Sequence, residues 1–247
     1  MTSPGNYDSN TRFSCVGCGA CCRGRFVPLT MGETTQWLRR GHSVAVLLEA
    51  FDESAWPLGA AEYSYNKLRS APVQCGEGSL QVTAILAGNV IPQCPNLGPD
   101  DRCTIYSERP LVCRIYPMEI SPFISLSPYT KDCPPESWQH GNLLGSDREV
   151  TNQILQSRQA DRDDAQLKVK LCEALGMTVA AWKGNGFTVY MPTAERMLTA
   201  IEGLGSQGQT THTWQIKAED FVLQSALERR SFALEKNARN DFIFHQL

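Results

Sequence analysis

Cys15-Val16-Gly17-Cys18-Gly19-Ala20-Cys21-Cys22 places four thiols in eight residues, spaced C-x2-C-x2-C-C. Gly17 and Gly19 stand between the cysteines, so the backbone can curl tightly there without a Cβ penalty. Such a loop turns several sulfurs toward one centre. Side-chain packing does not ask for that arrangement, whereas soft-metal or iron–sulfur ligation does.

Further along, Cys94-x8-Cys103-x9-Cys113 and then Cys133 form a second group. The ligand pool is therefore Cys15, Cys18, Cys21, Cys22, Cys94, Cys103, Cys113 and Cys133. Two arrangements use all of these sulfurs: a pair of tetrahedral four-thiolate zinc sites, or one or two iron–sulfur clusters. Adjacent Cys21 and Cys22 project in different directions. They can feed two centres, or leave one as a packed or redox-active thiol. Zinc sites are usually built from two separated C-x2–4-C pairs, and only the first group has that spacing. Three cysteines at x2 intervals, completed by a distant Cys94-Pro95 or Cys133-Pro134, echo the way bacterial ferredoxins hold a cube. The spacing leans to an iron–sulfur cluster, with zinc as the alternative.

The chain has 247 residues, 42% hydrophobic and 20% charged, as expected of a soluble globular protein of one large domain or two small ones. A net charge of −3 and a pI of about 5.8 give neither a nucleic-acid footprint nor a basic membrane-surface patch. Met1 to Asn10 lacks the basic-then-apolar pattern of a signal peptide, so a cytoplasmic location is expected. In a reducing cytosol, clustered thiols bind metal more often than they form disulfides. The remaining cysteines, Cys75 and Cys172, stand apart and read as core.

The fold expected is α+β and mostly helical. A loop-rich, cysteine- and metal-stapled N-terminal part with a small hairpin, residues 13–135, would pack on a helical C-terminal region, residues 146–247. Residues 1–12 read as a disordered lead. Thr30-Met31-Gly32-Glu33 is a capping box opening a short helix that Gly41 ends. Val44–Phe51 reads as a second helix. Residues 52–78 read as loop, with a helical turn near Tyr63–Leu68. Leu80–Leu86, the turn Gly88-Asn89 and Val90-Ile91 read as the hairpin. Residues 92–135 hold nine prolines and four cysteines, which excludes long helices and calls for a staple. Ser146-Asp147-Arg148-Glu149 is a second capping box before a helical region carrying Ile154, Leu167 and Leu171, with Gly176 as its stop. Phe187–Met191 is a short strand, Pro192-Thr193 starts a helix, and Ala218–Asn237 is the last long helix.

At these residues the chain resembles the CxxCxxCC-type zinc- or iron-chelating proteins, also called the YkgJ family of cysteine-cluster proteins. The matching pieces are Phe13-Ser14-Cys15-x2-Cys18-Gly19-x-Cys21-Cys22, Val27-Pro28-Leu29-Thr30 with Glu33, and Cys94-Pro95-Asn96-Leu97. Cys103-Thr104-Ile105-Tyr106, Arg109-Pro110-x2-Cys113-Arg114-x-Tyr116-Pro117 and Cys133 complete them. The resemblance covers about residues 13–135 and implies metal chelation, without naming the metal or a reaction. The flagellin lysine N-methylase, whose first cluster is more widely spaced, is a more distant likeness.

Other signals read more plainly. Arg109 and Arg114 either neutralise a thiolate-rich centre or make surface and capping contacts. Tyr106 and Tyr116 read as core aromatics. His140 is a spare donor beside eight cysteines. Gly203-Leu204-Gly205-Ser206-Gln207-Gly208 matches G-x-G-x-x-G but follows a helix, so it reads as a helix cap and loop. The leading expectation is a metal-binding protein with a structural, redox or metal-handling role. Its partner is a metal ion or cluster, with no nucleic acid and no membrane. The alternatives are an enzyme using the metal centre, by a redox or methyl-transfer step, and a thiol redox sensor at Cys21-Cys22.

Overall fold

The computed structural model describes residues 10–56, 59–144, 147–205, 212–237 and 239–246. In chain order its elements are β1 (Arg12–Phe13), β2 (Arg23–Leu29), α1 (Met31–Arg39), β3 (Val44–Phe51), α2 (Ala60–Leu68), β4 (Ala71–Cys75) and β5 (Gly78–Gln93). Then follow α3 (Leu111–Ile115), β6 (Asn142–Leu143), α4 (Arg148–Asp163), α5 (Ala165–Ala174) and β7 (Val179–Trp182). The last are β8 (Gly186–Tyr190), α6 (Ala194–Gly203), β9 (Gln215–Lys217), α7 (Phe221–Arg229) and β10 (Ile243–Gln246). Two compact units divide them. One comprises the chain through Leu29 together with Asn89–Ala160, and the other Thr30–Gly88 together with the chain from Asp161.

The second unit is built on a sheet, which overturns the expectation of a mostly helical protein with a helical C-terminal part. The fold is α+β with a substantial mixed sheet, and β7 to β10 all lie in the C-terminal part. β3 is its central strand. It pairs antiparallel with β5, from Val44↔Gly88 to Phe51↔Gln81, and antiparallel with β8. It also pairs parallel with β7, which in turn pairs parallel with β9. β4 lies antiparallel to β5, and β10 to β8. Val44, Val46 and Leu48 on β3 are completely buried, as is Ala45 between them. Both faces of this strand are therefore covered. A strand buried on both faces reads as a continuous apolar run, which periodicity cannot tell from a buried helix.

The expected hairpin is also corrected. β5 runs unbroken through Gly88-Asn89. Gly88 marks a close approach: a Cβ there would meet the Trp37 ring at 2.8 Å. The expected helix Ala218–Asn237 ends at Arg229, because Ser231 takes a left-handed φ of 60°. The chain then turns back, and Ile216 N donates to Ala233 O at 2.8 Å. A serine in that conformation carries no stop signal of the glycine kind.

Several local expectations hold. The Thr30 hydroxyl accepts from Glu33 N at 3.1 Å and the Glu33 carboxylate accepts from Thr30 N at 2.9 Å, so the capping box is complete. Gly41 follows α1 with φ 80° and Gly176 follows α5 with φ 73°. Thr193 caps α6, and β8 is the strand expected near Phe187. The turn near Tyr63 is the full helix α2, with β4 following in what reads as loop. At α4, Asp147 Oδ1 accepts from Glu149 N at 3.0 Å and Val150 N at 3.1 Å; Ser146 of that capping box lies outside the described residues. So do residues 1–9 of the N-terminal lead, while Arg12 is already in β1.

The first unit is loop-rich, as its prolines dictate. Between Gln93 and Asn142 its one α-helix among the described residues is the five-residue α3. β1 pairs with β6, and β2 borders β5. One apolar cluster among the described residues is Ile115, Met118, Leu144 and Ile154, with Phe13, Ile120, Leu126 and Val150 packed around them, and Val27, Leu29 and Val90 of this unit are buried as well. Ile154 ties α4 to this core, and Arg158 Nε donates to Ile120 O at 2.6 Å.

Candidate metal centre

The first cysteine loop is shaped by its glycines. Gly17 and Gly19 have φ of 70° and 65°, left-handed values open to glycine at no steric cost. Cys22 N donates to Gly19 O at 3.0 Å, closing the 3-10 turn Ala20–Cys22. Gly19 also needs its missing side chain. A Cβ there would meet Arg23 Nη1 and Asp101 O at 3.0 Å and Leu97 Cδ1 at 3.2 Å. The loop therefore packs directly on the segment that carries Cys94 and Cys103. Arg23 fastens it there, donating to Gly19 O at 3.0 Å and to Asp101 Oδ1 at 2.5 Å.

Backbone hydrogen bonds bring in the other thiols. Cys94 N donates to Cys22 O at 2.7 Å. Residues 94–104 fold back as a knuckle: Leu97 N donates to Cys94 O at 3.0 Å, Thr104 N to Asn96 O at 2.9 Å, and Leu97 pairs with Cys103. Cys113 sits in α3, whose N-cap is Pro110, and Cys113 N donates to Pro110 O at 2.9 Å. Cys133 is held from two sides. Trp138 Nε1 donates to Cys133 O at 3.4 Å, and Asp132 N donates to the Tyr116 hydroxyl at 3.2 Å. Ser14 N donates to Ser137 O at 2.9 Å, and the Phe13 and Trp138 rings lie 5.1 Å apart, so the Cys15 end of the first loop lies beside this segment.

The thiols are electrostatic neighbours. Cys21 acts on Cys22, Cys94, Cys113 and Cys133, while Cys15 and Cys18 act on Cys133. The hydrogen bond from Cys22 brings the Cys21 thiol down to about 6, against burial and with help from Arg25 and Arg109. The same bond holds Cys22 protonated and pushes it up. Burial raises Cys113 to about 12 and Cys133 to about 11, with the Cys21 charge adding to both. Burial also raises Cys94. Metals bind cysteine as the thiolate, so a metal ion at these thiols would take the place of their protons. Among the described residues, however, no three His, Cys, Asp or Glu side chains already stand in metal-holding geometry. Hydrogen bonds set the segments that carry these cysteines beside one another in the first unit.

The chemistry of the surroundings fits such a centre. Arg25 Nε is buried and donates to no acceptor among the described residues, although its Nη2 pairs with Asp132. Nothing in the sequence singles out Arg25; it lies on β2, where only the fold turns it toward the thiols. Its guanidinium stands 5.6 Å from the Tyr116 ring centroid. Burial raises Tyr116 to about 12, and its hydroxyl bonds the Cys133 thiol. Tyr116 is half-buried at the site, whereas Tyr106 is 60% exposed and stacks on Arg109 at 3.7 Å, so neither is a core aromatic. Arg109 faces the thiols, while Arg114 closes the local turn by donating to Arg109 O and Ser107 O. His140 is exposed. Cys75 and Cys172 are fully buried in the other unit. Of the G-x-G-x-x-G, Gly203 ends α6 and residues 206–208 lie outside the described residues.

A cavity of about 560 Å³ lies in the same unit, lined by Arg12, Gly141–Leu143 and Asp147–Glu149, with none of the eight cysteines in its described lining. Among the described residues no helix is long and apolar enough to cross a membrane.

Residues 14–134 match the family model CxxCxxCC, described as "Putative zinc- or iron-chelating domain". No curated protein and no solved structure matches the chain.

Proposed function

We propose, from the premise that residues 14–134 belong to the CxxCxxCC family of zinc- or iron-chelating domains, that the chain is a cytoplasmic thiolate-metal protein. Cys15, Cys18, Cys21, Cys22, Cys94, Cys103, Cys113 and Cys133 are its donors. One observation supports this reading: hydrogen bonds set the four cysteine-bearing segments beside one another in a loop-rich unit, where the apolar cluster among the described residues has four buried members. A cluster of that size calls for a staple, and metal binding is folding free energy where ligands come from distant segments. Bound metal supplies charge to hold the thiolates together and, if the centre is iron–sulfur, a one-electron couple. The chain's own residues do the rest. Arg25 and Arg109 offset thiolate charge, Tyr116 orients Cys133, and Gly19 lets the two cysteine groups meet.

Anaerobic purification followed by an absorption spectrum and elemental analysis tests this. An iron–sulfur centre gives a brown protein that bleaches with dithionite and holds iron and sulfide in about equal amounts. Zinc gives a colourless protein with roughly two ions per chain, as eight thiolates in four-coordinate sites require. A chain that holds neither metal after anaerobic purification sinks the proposal. A second reading follows from Cys21. A thiolate at neutral pH is the reactive form, and peroxide oxidation would join it to a neighbouring thiol as a disulfide with water as product. Loss of metal on mild peroxide treatment, reversed by a thiol reductant, is its mark; an unaffected metal content removes it.

A further inference from the structure

We infer that Arg23 and Arg25 are positioning residues of the proposed centre: from one strand, each clasps a later cysteine segment to the first cysteine loop. The inference rests on the metal-binding reading above and names residues outside the donor set on which that binding depends.

Both arginines lie on β2, the strand that begins directly after Cys22. They stand two residues apart, so a strand carries them on one side. Each reaches an aspartate beside a later cysteine. Arg23 Nη2 pairs at 2.5 Å with Asp101 Oδ1, two residues before Cys103, and its Nη1 donates to Gly19 O at 3.0 Å inside the first loop. Arg25 Nη2 pairs with Asp132, the residue before Cys133. The partners are 78 and 107 residues apart in the chain, so no local turn brings them together.

Isolated surface ion pairs contribute little. These pairs are tied into further contacts. Asp132 is held a second time, since its backbone N donates to the Tyr116 hydroxyl at 3.2 Å. The Arg25 guanidinium stands 5.6 Å from the centroid of the Tyr116 ring, and Lys131 Nζ stands 5.7 Å from it. Lys131, on a side chain 11% exposed, pairs in turn with Glu119. At Arg23, a Cβ on Gly19 would meet Asp101 O at 3.0 Å, so the ion pair closes a seam where the first loop and the Asp101 segment already touch. Residues that hold ligand-bearing segments from outside the ligand set govern metal affinity, and losing one costs about 10- to 100-fold.

The test titrates the full chain with cadmium(II) alone, in competition with a chelator. It compares Arg25→Gln, Asp132→Asn and their double variant, and likewise Arg23→Gln, Asp101→Asn and theirs. Each single variant is expected to bind cadmium about tenfold more weakly, and each double variant little more weakly than its singles. The aspartates separate positioning from charge. A thiolate-bound divalent ion carries net negative charge, so if the arginines only offset it, removing a nearby carboxylate leaves binding unchanged or tightens it. Arg230→Gln, which breaks a pair of the same kind with Asp52 in the other unit, is expected to leave the affinity unchanged. Wild-type or tighter binding in the aspartate variant of either pair, losses that add in the double variants, or an equal loss in Arg230→Gln overturns the inference while leaving metal binding intact. A wild-type chain that takes up no cadmium overturns the metal-binding reading itself.

Discussion

Asp161 and Glu49 show how the balance at a single residue decides its charge. Burial pushes both carboxyls up, but Asp161 faces two cations: Arg69 Nε at 2.6 Å and Lys168 Nζ at 3.1 Å, the latter on a side chain 5% exposed. Their attraction outweighs burial, and the Asp161 pKa falls below its ordinary value. At Glu49 the pairing with Lys183 at 2.7 Å, the Gly184 amide and the charge of Arg69 do not offset burial, so burial wins and its pKa rises. A lowered carboxylate contributes stability above its unfolded value that is lost as pH falls through the folded value. Asp161→Asn is therefore expected to cost about 3–5 kcal/mol near pH 7, because it strands a buried lysine. The gap between variant and wild type closes as pH drops below about 4. Urea unfolding across that pH range checks it, and a gap that does not depend on pH would refute the ion-pair account. At this scale the cysteines proposed as metal donors are legible in sequence, since cysteine type and x2 spacing are local. Arg25 is not, because its role depends on a partner segment that only folding supplies.

At the scale of elements, α1 and β5 offer contrasting tests. The capping box of α1 satisfies two helix-end donors within four residues, so it reads directly from sequence. Thr30→Ala is expected to lower stability by about 1 kcal/mol. Gly88 in β5 reads as a turn but serves a tertiary contact, its Cα face lying against Trp37. Gly88→Ala forces the indole to shift and is expected to cost about 1–3 kcal/mol, with a change in tryptophan emission that Thr30→Ala does not produce. Equal losses with no spectral change would mean that the Trp37 contact is not what selects glycine. β3 repeats the lesson. Its apolar run fits a helix or a strand until β5 and β8 pair with it on its two sides.

For the whole molecule, the two units rest on different supports. The second has a wide sheet of buried apolar strands, while the first has a cluster of four buried apolar residues and the cysteine loops. Chelation under reducing conditions is therefore expected to release amide protection in residues 94–140 while β3 and β8 stay protected. Hydrogen exchange with and without chelator checks this, and uniform loss across both units would contradict it. What the sequence by itself determined is the spacing of the clustered thiols, the loop character of the proline-rich segment and the ends of α1 and α6. Each of these follows from residues within a few positions of one another. Only the tertiary structure decided that the C-terminal part is sheeted, that Gly88 lies within a strand, and which cysteine segments meet. Strand pairing and the hydrogen bonds between cysteine-bearing segments join residues far apart in the chain, and no local pattern carries that information.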